Sequence, residues 1–138
     1  MVVMWIFMRD AFLSIVQHDD DERFLQVRSR VRGDIERVFP EAVVAEDDRS
    51  DYRFTANVNR DRVAHAVELR VQQITYTSLN EAVTDTDRAI PYDKVYSAML
   101  DEQVARYGSE LEPLPIYVPS YDLENESGLE SAVISIDG

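Results

Sequence analysis

The chain has no cysteine and only one lysine, Lys94, among fourteen basic residues. The first absence removes disulfides, thiolate metal sites and cysteine nucleophiles from consideration, and it fits a reducing compartment. The second reflects an arginine-rich usage of the kind a GC-rich genome produces. Glycines number four and are scattered, so no phosphate-cradling loop is available. There is no G-x-S-x-G, no HExxH, no P-loop and no GxGxxG, and the carboxylates are too numerous for any one pair to stand out as an acid–base dyad. These absences argue against an enzyme, and no residue is assigned a catalytic role. No apolar run reaches the ~20 residues of a membrane span. The apolar start, Met1 to Met8, has neither a basic leader nor a small-residue cleavage site. The expectation is a cytoplasmic protein with no membrane association and no cofactor.

What the chain has in excess is acid. Its 138 residues carry 27 acidic and 14 basic side chains, a net charge of −13. The last thirty residues, Ser109 to Gly138, hold seven acids and no base, which leaves the preceding part at −6. Direct binding to DNA or to anionic membranes is therefore disfavoured, and a basic protein partner is favoured. A salt-adapted host would select a similar surface.

A hydrophobic fraction of 45% with 9% aromatics is that of a globular chain. The pattern predicts one α+β domain over residues 1–108 and an acidic, proline-containing tail over 109–138. Ala11–Gln17 reads as a buried strand, His18–Glu22 as a charged turn, and Phe24–Arg30 as an alternating strand with Leu25, Val27 and Val31 inward. Gly33-Asp34 opens a short helix that Pro40 ends. Ala42–Ala45 and Tyr52–Val58 form the next two strands, the second with Tyr52, Phe54, Ala56 and Val58 inward. Asn59 caps a helix from Arg60 to about Ile74 whose Val63, Val67, Val71 and Ile74 share a face. Strand–strand–helix repeated twice is the order of a ferredoxin-like sandwich permuted to ββαββα, with Phe24–Arg30 and Tyr52–Val58 as neighbouring central strands. Trp5–Met8 is an extra strand or an extension of the first.

Two C-terminal helices follow. Ser78-Leu79-Asn80-Glu81 has the form of a capping box. Pro91 suits the first turn of the second helix, Val95, Tyr96, Met99, Gln103 and Val104 give its stripe, and Gly108 ends it. In the tail, Leu114–Pro119 should be extended and Ser131–Ile136 has the β-branched content of a strand.

Period two sends Gln26, Arg28 and Arg30 on one central strand, and Arg53, Thr55 and Asn57 on the other, to the face away from the core. Guanidinium groups with amides beside them suit carboxylate or phosphate, so Arg28, Arg30, Arg53, Gln26 and Asn57 form a candidate site for a small anion or RNA. Neither strand offers outward aromatics for base stacking. The plainer reading is a solvated face whose arginines pair with nearby acids. His18 among Asp19, Asp20, Asp21 and Glu22 lacks the spacing of a calcium loop and reads as a hairpin turn, and His65 as a boundary histidine, so no metal is assigned.

Met4-Trp5-Ile6-Phe7 followed by Phe12-Leu13-Ser14, with Asp51-Tyr52-Arg53-Phe54 and Ile74-Thr75-Tyr76 further on, resembles a group of short bacterial proteins common in actinobacteria. The resemblance covers about Met4 to Met99 and departs from the group at Thr77-Ser78-Leu79. The group has no established activity, so the resemblance implies no function.

The leading functional expectation is a small acidic, non-enzymatic protein-interaction module. Its sharpest form is a phage or mobile-element inhibitor that mimics nucleic-acid charge, of the anti-restriction or anti-CRISPR type, with Glu110, Glu112, Asp122, Glu124 and Glu126 as the interacting tail. The alternatives are the anion- or RNA-binding arginine face and an enzyme whose site is assembled only in three dimensions.

Overall fold

A computed structural model describes residues 3–108. The tail carboxylates Glu110, Glu112, Asp122, Glu124 and Glu126, and the segments Leu114–Pro119 and Ser131–Ile136, lie outside the described residues. The chain divides into two compact units, the first ending at Thr75 and the second beginning at Tyr76.

The first unit is an α+β arrangement. It runs β1 (Met4–Met8), β2 (Ala11–Gln17), β3 (Phe24–Ser29), α1 (Asp34–Val38), β4 (Ala45–Glu46), β5 (Phe54–Asn59) and α2 (Arg60–Gln72). The five strands form one antiparallel sheet in the order β1-β2-β3-β5-β4. Arg9 and Asp10 turn β1 into β2, with Met8 opposite Ala11. The charged segment His18–Arg23 turns β2 into β3, with Gln17 opposite Leu25.

Alternation fixes which face is dry. Ala11, Leu13 and Ile15 on β2, Val27 on β3, and Phe54, Ala56 and Val58 on β5 join one buried cluster with Ile35, Val38 and Phe39 at α1 and Val63 and Ala66 on α2. Both helices therefore cover the same face of the sheet. Each large side chain in this cluster contributes about 1.5–3 kcal/mol by leaving water.

Local chemistry sets the helix ends. Gly33 precedes α1 at φ +93°, a left-handed conformation that glycine adopts without strain. The next residue, Asp34, is fully buried and accepts from the Phe12 N–H at 3.0 Å and from Arg37 Nη1 at 2.8 Å. That carboxylate locks the first turn of α1 to β2. The Asn59 side chain accepts from the Asp61 N–H at 2.8 Å and caps α2. At the other end of α2, Arg70 reaches Asp10 Oδ1 at 2.6 Å and the Arg37 carbonyl at 3.2 Å.

Four expectations for this unit need correction. Val31, expected inward, lies beyond the end of β3 and is 51% exposed. α2 stops at Gln72, and Val71 and Ile74 are more than half exposed. The buried stripe is Val63, Ala66 and the partly buried Val67, and Val71 is turned about 80° from Val63 around a 3.6-residue helix. The fourth strand is two residues long and shifted: Ala45 and Glu46 pair with Thr55 and Phe54, while Val43 is 89% exposed. Ala42 and Val44 only rest against the core. Tyr52 precedes β5, so strand alternation does not govern it. It is buried, yet outside the core cluster.

The second unit, over its described residues, holds α3 (Leu79–Ala82) and α4 (Thr86–Tyr107). The Ser78 hydroxyl accepts from the Glu81 N–H at 3.4 Å, as the capping sequence predicts. α4 begins at Thr86, earlier than Pro91 suggests, because the Asp85 side chain caps it by accepting from the Asp87 N–H at 3.0 Å. Pro91 lies inside the helix. Its buried residues are Arg88, Ala89, Tyr92 and Asp93, whereas Met99 and Gln103 of the predicted stripe are exposed. Two charged residues on the buried side hid that stripe from a reading based on apolar periodicity. Gly108 follows α4 at φ +72°.

Candidate functional site

Register carries the site on the sheet face away from the core. Trp5 stands opposite Ser14, Ser14 opposite Arg28, and Arg28 opposite Thr55. One step along, Gln26 stands opposite Asn57. The Arg28 Nη2 group donates to Ser14 Oγ at 2.8 Å, and Ser14 is fully buried. Among the described residues Arg28 has no carboxylate partner, and its buried Nε–H has no acceptor.

Tyr52 holds this region together. The Arg28 and Arg30 guanidinium carbons lie 4.4 and 4.0 Å from its ring centroid. Its hydroxyl accepts from Trp5 Nε1 at 3.1 Å. Trp5 meets Phe12 edge-on at 5.8 Å, and Phe12 contacts Phe7 at 4.6 Å. Trp5 itself is 57% exposed. Aromatic neighbours of the arginines are thus supplied by β1, by β2 and by the segment before β5, and Phe24 on β3 shares the parity of Gln26 and Arg28. Strand pairing of β1 with β2 was the signal that places Trp5 and Phe12 beside the arginines.

The five residues singled out from the sequence are only partly brought together. Arg28 and Arg30 share Tyr52, and Gln26 and Asn57 are register neighbours one step away. Arg53 turns elsewhere: its Nε donates to Glu46 Oε2 at 2.8 Å. The same carboxylate receives the Arg32 fork at 2.9 and 2.8 Å. Hydrogen bonds from Arg32 and then Arg53 hold the Glu46 carboxyl below its usual range. Arg30 donates to the Asp51 carbonyl at 2.7 Å and meets the Asp51 carboxylate at 3.3 Å. Three of the four arginines Arg28, Arg30, Arg32 and Arg53 therefore already hold an anion from this chain.

The histidines serve local structure. His18 Nδ1 accepts from the Asp20 N–H at 3.1 Å inside the β2–β3 turn. Exposed His65 sits 4.0 Å from Glu68. In the same turn Arg23 forks onto Asp21 at 2.7–3.2 Å and draws its carboxyl down to about 2. Among the described residues no three His, Asp or Glu side chains are gathered as metal ligands. A shallow cleft near the same turn is lined by Gln17, Glu22, Arg23, Asn59, Arg60 and Asp61, with both signs of charge present.

Arginine pairing continues around the first unit with Arg62 on Glu41, Arg37 on Asp34 and Arg70 on Asp10. Asp19, Asp20, Glu22, Asp47, Asp48 and Asp61 are exposed and carry no ion pair among the described residues. Asp19, Asp20 and Glu22 sit in the β2–β3 turn and Asp61 at the start of α2; Asp47 and Asp48 sit in the β4–β5 turn at the opposite end of the sheet.

No family model matches the chain, and neither a curated protein nor a solved structure is significantly similar to it.

Proposed function

We propose that this protein is a small, non-enzymatic interaction module that presents carboxylates to a basic partner. The observation that carries this reading is the unequal use of charge. The arginines of the sheet are largely consumed by internal carboxylates, while unpaired acids stand exposed at both ends of the sheet. A basic surface would therefore meet exposed carboxylates that, among the described residues, belong to no ion pair. Its sharp form is mimicry of a nucleic-acid backbone, as in an anti-restriction or anti-CRISPR inhibitor, with the acidic tail adding to the effect. The scaffold fits a ferredoxin-like sandwich in permuted order, with β2-β3-β5-β4 as its four strands and β1 added at the edge.

The test is competition. Basic proteins captured from the native host by the immobilised full chain should be released by duplex DNA and by salt near 1 M, where the screening length is about 3 Å. Reversing charge at Asp19, Asp20, Asp47 and Asp48 to lysine should weaken capture at least tenfold. Capture that resists both salt and DNA would remove charge mimicry from consideration.

A second reading is favoured by Arg28, whose guanidinium lacks a carboxylate. It is an anion- or RNA-binding role for the face bearing Arg28 and Arg30. Replacing Arg28, Arg30 and Arg53 by alanine should then abolish binding of oligoribonucleotide or phosphate while the circular dichroism spectrum is retained. Unchanged binding by the folded triple variant would sink this reading.

A further inference from the structure

β4 differs from the other four strands in how it is held. The segment Pro40–Asp51 that contains it places no side chain in the fully buried cluster; only Ala42 and Val44 lean on it. Its backbone anchors are few: the Ala42 N–H to the Phe39 carbonyl at 3.0 Å, the two-residue ladder to β5, and the Asp47 N–H to the Arg53 carbonyl at 2.9 Å. Its side-chain anchors are carboxylates gripped by arginines from outside the segment. Glu41 accepts from Arg62 on α2 at 2.6 and 3.3 Å. Glu46 accepts from Arg32, just after β3, and from Arg53, just before β5. Two arginines converge on one Glu46 oxygen, Oε2, each at 2.8 Å. The Asp51 carbonyl is held by Arg30 at 2.7 Å.

We propose that Pro40–Asp51 is a releasable strap, clasped over the outer edge of β5 by arginine–carboxylate pairs rather than by apolar packing. Exposed ion pairs contribute little individually and are weakened by salt. A segment with few buried apolar contacts opens at lower free energy than the sheet it covers. When the strap lifts, Phe54 and Thr55 on β5 lose their ladder partners Glu46 and Ala45 and become an unpaired edge. β1, on the far side of the sheet, is untouched by the event. Arg53, part of the candidate anion site read from the sequence, holds the strap's own Glu46 carboxylate together with Arg32.

Hydrogen exchange followed by mass spectrometry tests the strap on the full chain. In the wild type, peptides covering residues 41–55 should exchange about tenfold faster as salt rises from about 0.05 to 1 M, where ion pairs are screened. Peptides covering 11–17 and 24–29 should keep their rates. E41Q/E46Q should show the fast pattern already at low salt. Salt-independent exchange in 41–55, or acceleration spread equally through β2 and β3, would overturn the proposal. Should the double variant fail to fold, the wild-type salt series decides alone.

Discussion

Asp34 is a charged residue with the burial of a core residue. Its two oxygens are committed to the Phe12 N–H and the Arg37 guanidinium. Removing it leaves the Phe12 N–H without this acceptor, and an unsatisfied buried donor costs about 1–3 kcal/mol. Asp34→Ala should lower the unfolding free energy measured in urea by that order, and Arg37→Ala should also destabilise, because it takes the guanidinium from a buried carboxylate. Gly33 gives a second, independent expectation. A side chain at its φ of +93° costs about 1–2 kcal/mol, and a Cβ there would meet the Arg37 guanidinium at 3.3 Å. Thermal melts of Gly33→Ala and Asp34→Ala separate the backbone effect from the carboxylate effect. At this scale the sequence was partly legible. Gly33-Asp34 marked a helix start, but nothing in the pattern says that the aspartate is buried, because its partner is a strand amide twenty-two residues earlier. Tyr52 was read as a core residue from alternation. Its ring packs on Arg28 and Arg30 because the strand has not yet begun.

Elements whose determinants are local were readable. Those whose determinants lie on another element were not. β2, β3 and the start of α2 follow from alternation and from the Asn59 cap. Asn59→Ala should cost about 1 kcal/mol, measured by denaturant unfolding. The short β4 depends on Glu46 meeting Arg32 and Arg53, which come from two other places in the chain, so its position could not be read from Ala42–Ala45 alone. The same clasp predicts a pH response. The Glu46 carboxyl is held below its ordinary value of 4.5 by Arg32 and Arg53. Its contribution is therefore present above 4.5 and fades as pH falls through the lower folded value. Exchange in peptides covering 41–55, corrected for the intrinsic pH dependence of exchange, should accelerate below pH 4.5. E46Q should reduce that response and E41Q/E46Q abolish it, since Arg62 likewise holds the Glu41 carboxyl below its ordinary value.

Over the whole molecule, charge acts with the opposite sign. A net charge of −13 repels itself, and salt relieves that repulsion. The melting temperature of the full chain should rise between low and physiological salt, even as the strap loosens. A variant in which both quantities move together would show that the clasp carries the global stability. The candidate binding face was legible as a set of arginines on two central strands, and β3 and β5 are indeed adjacent. The sequence did not reveal how far those arginines are already satisfied by Glu46 and Asp51, because ion pairing is decided by turns and not by strand period.

The strand order also has a kinetic consequence. β1, β2 and β3 pair as successive hairpins, which close over short stretches of chain, whereas the β3–β5 ladder joins residues as distant as Phe24 and Asn59. Closing that excursion is the slow step expected of non-local pairing. Val27→Ala, at the β3–β5 seam, should therefore slow refolding in stopped-flow traces. Val44→Ala, on a segment that docks afterwards, should leave the refolding rate almost unchanged and show its effect in the unfolding rate.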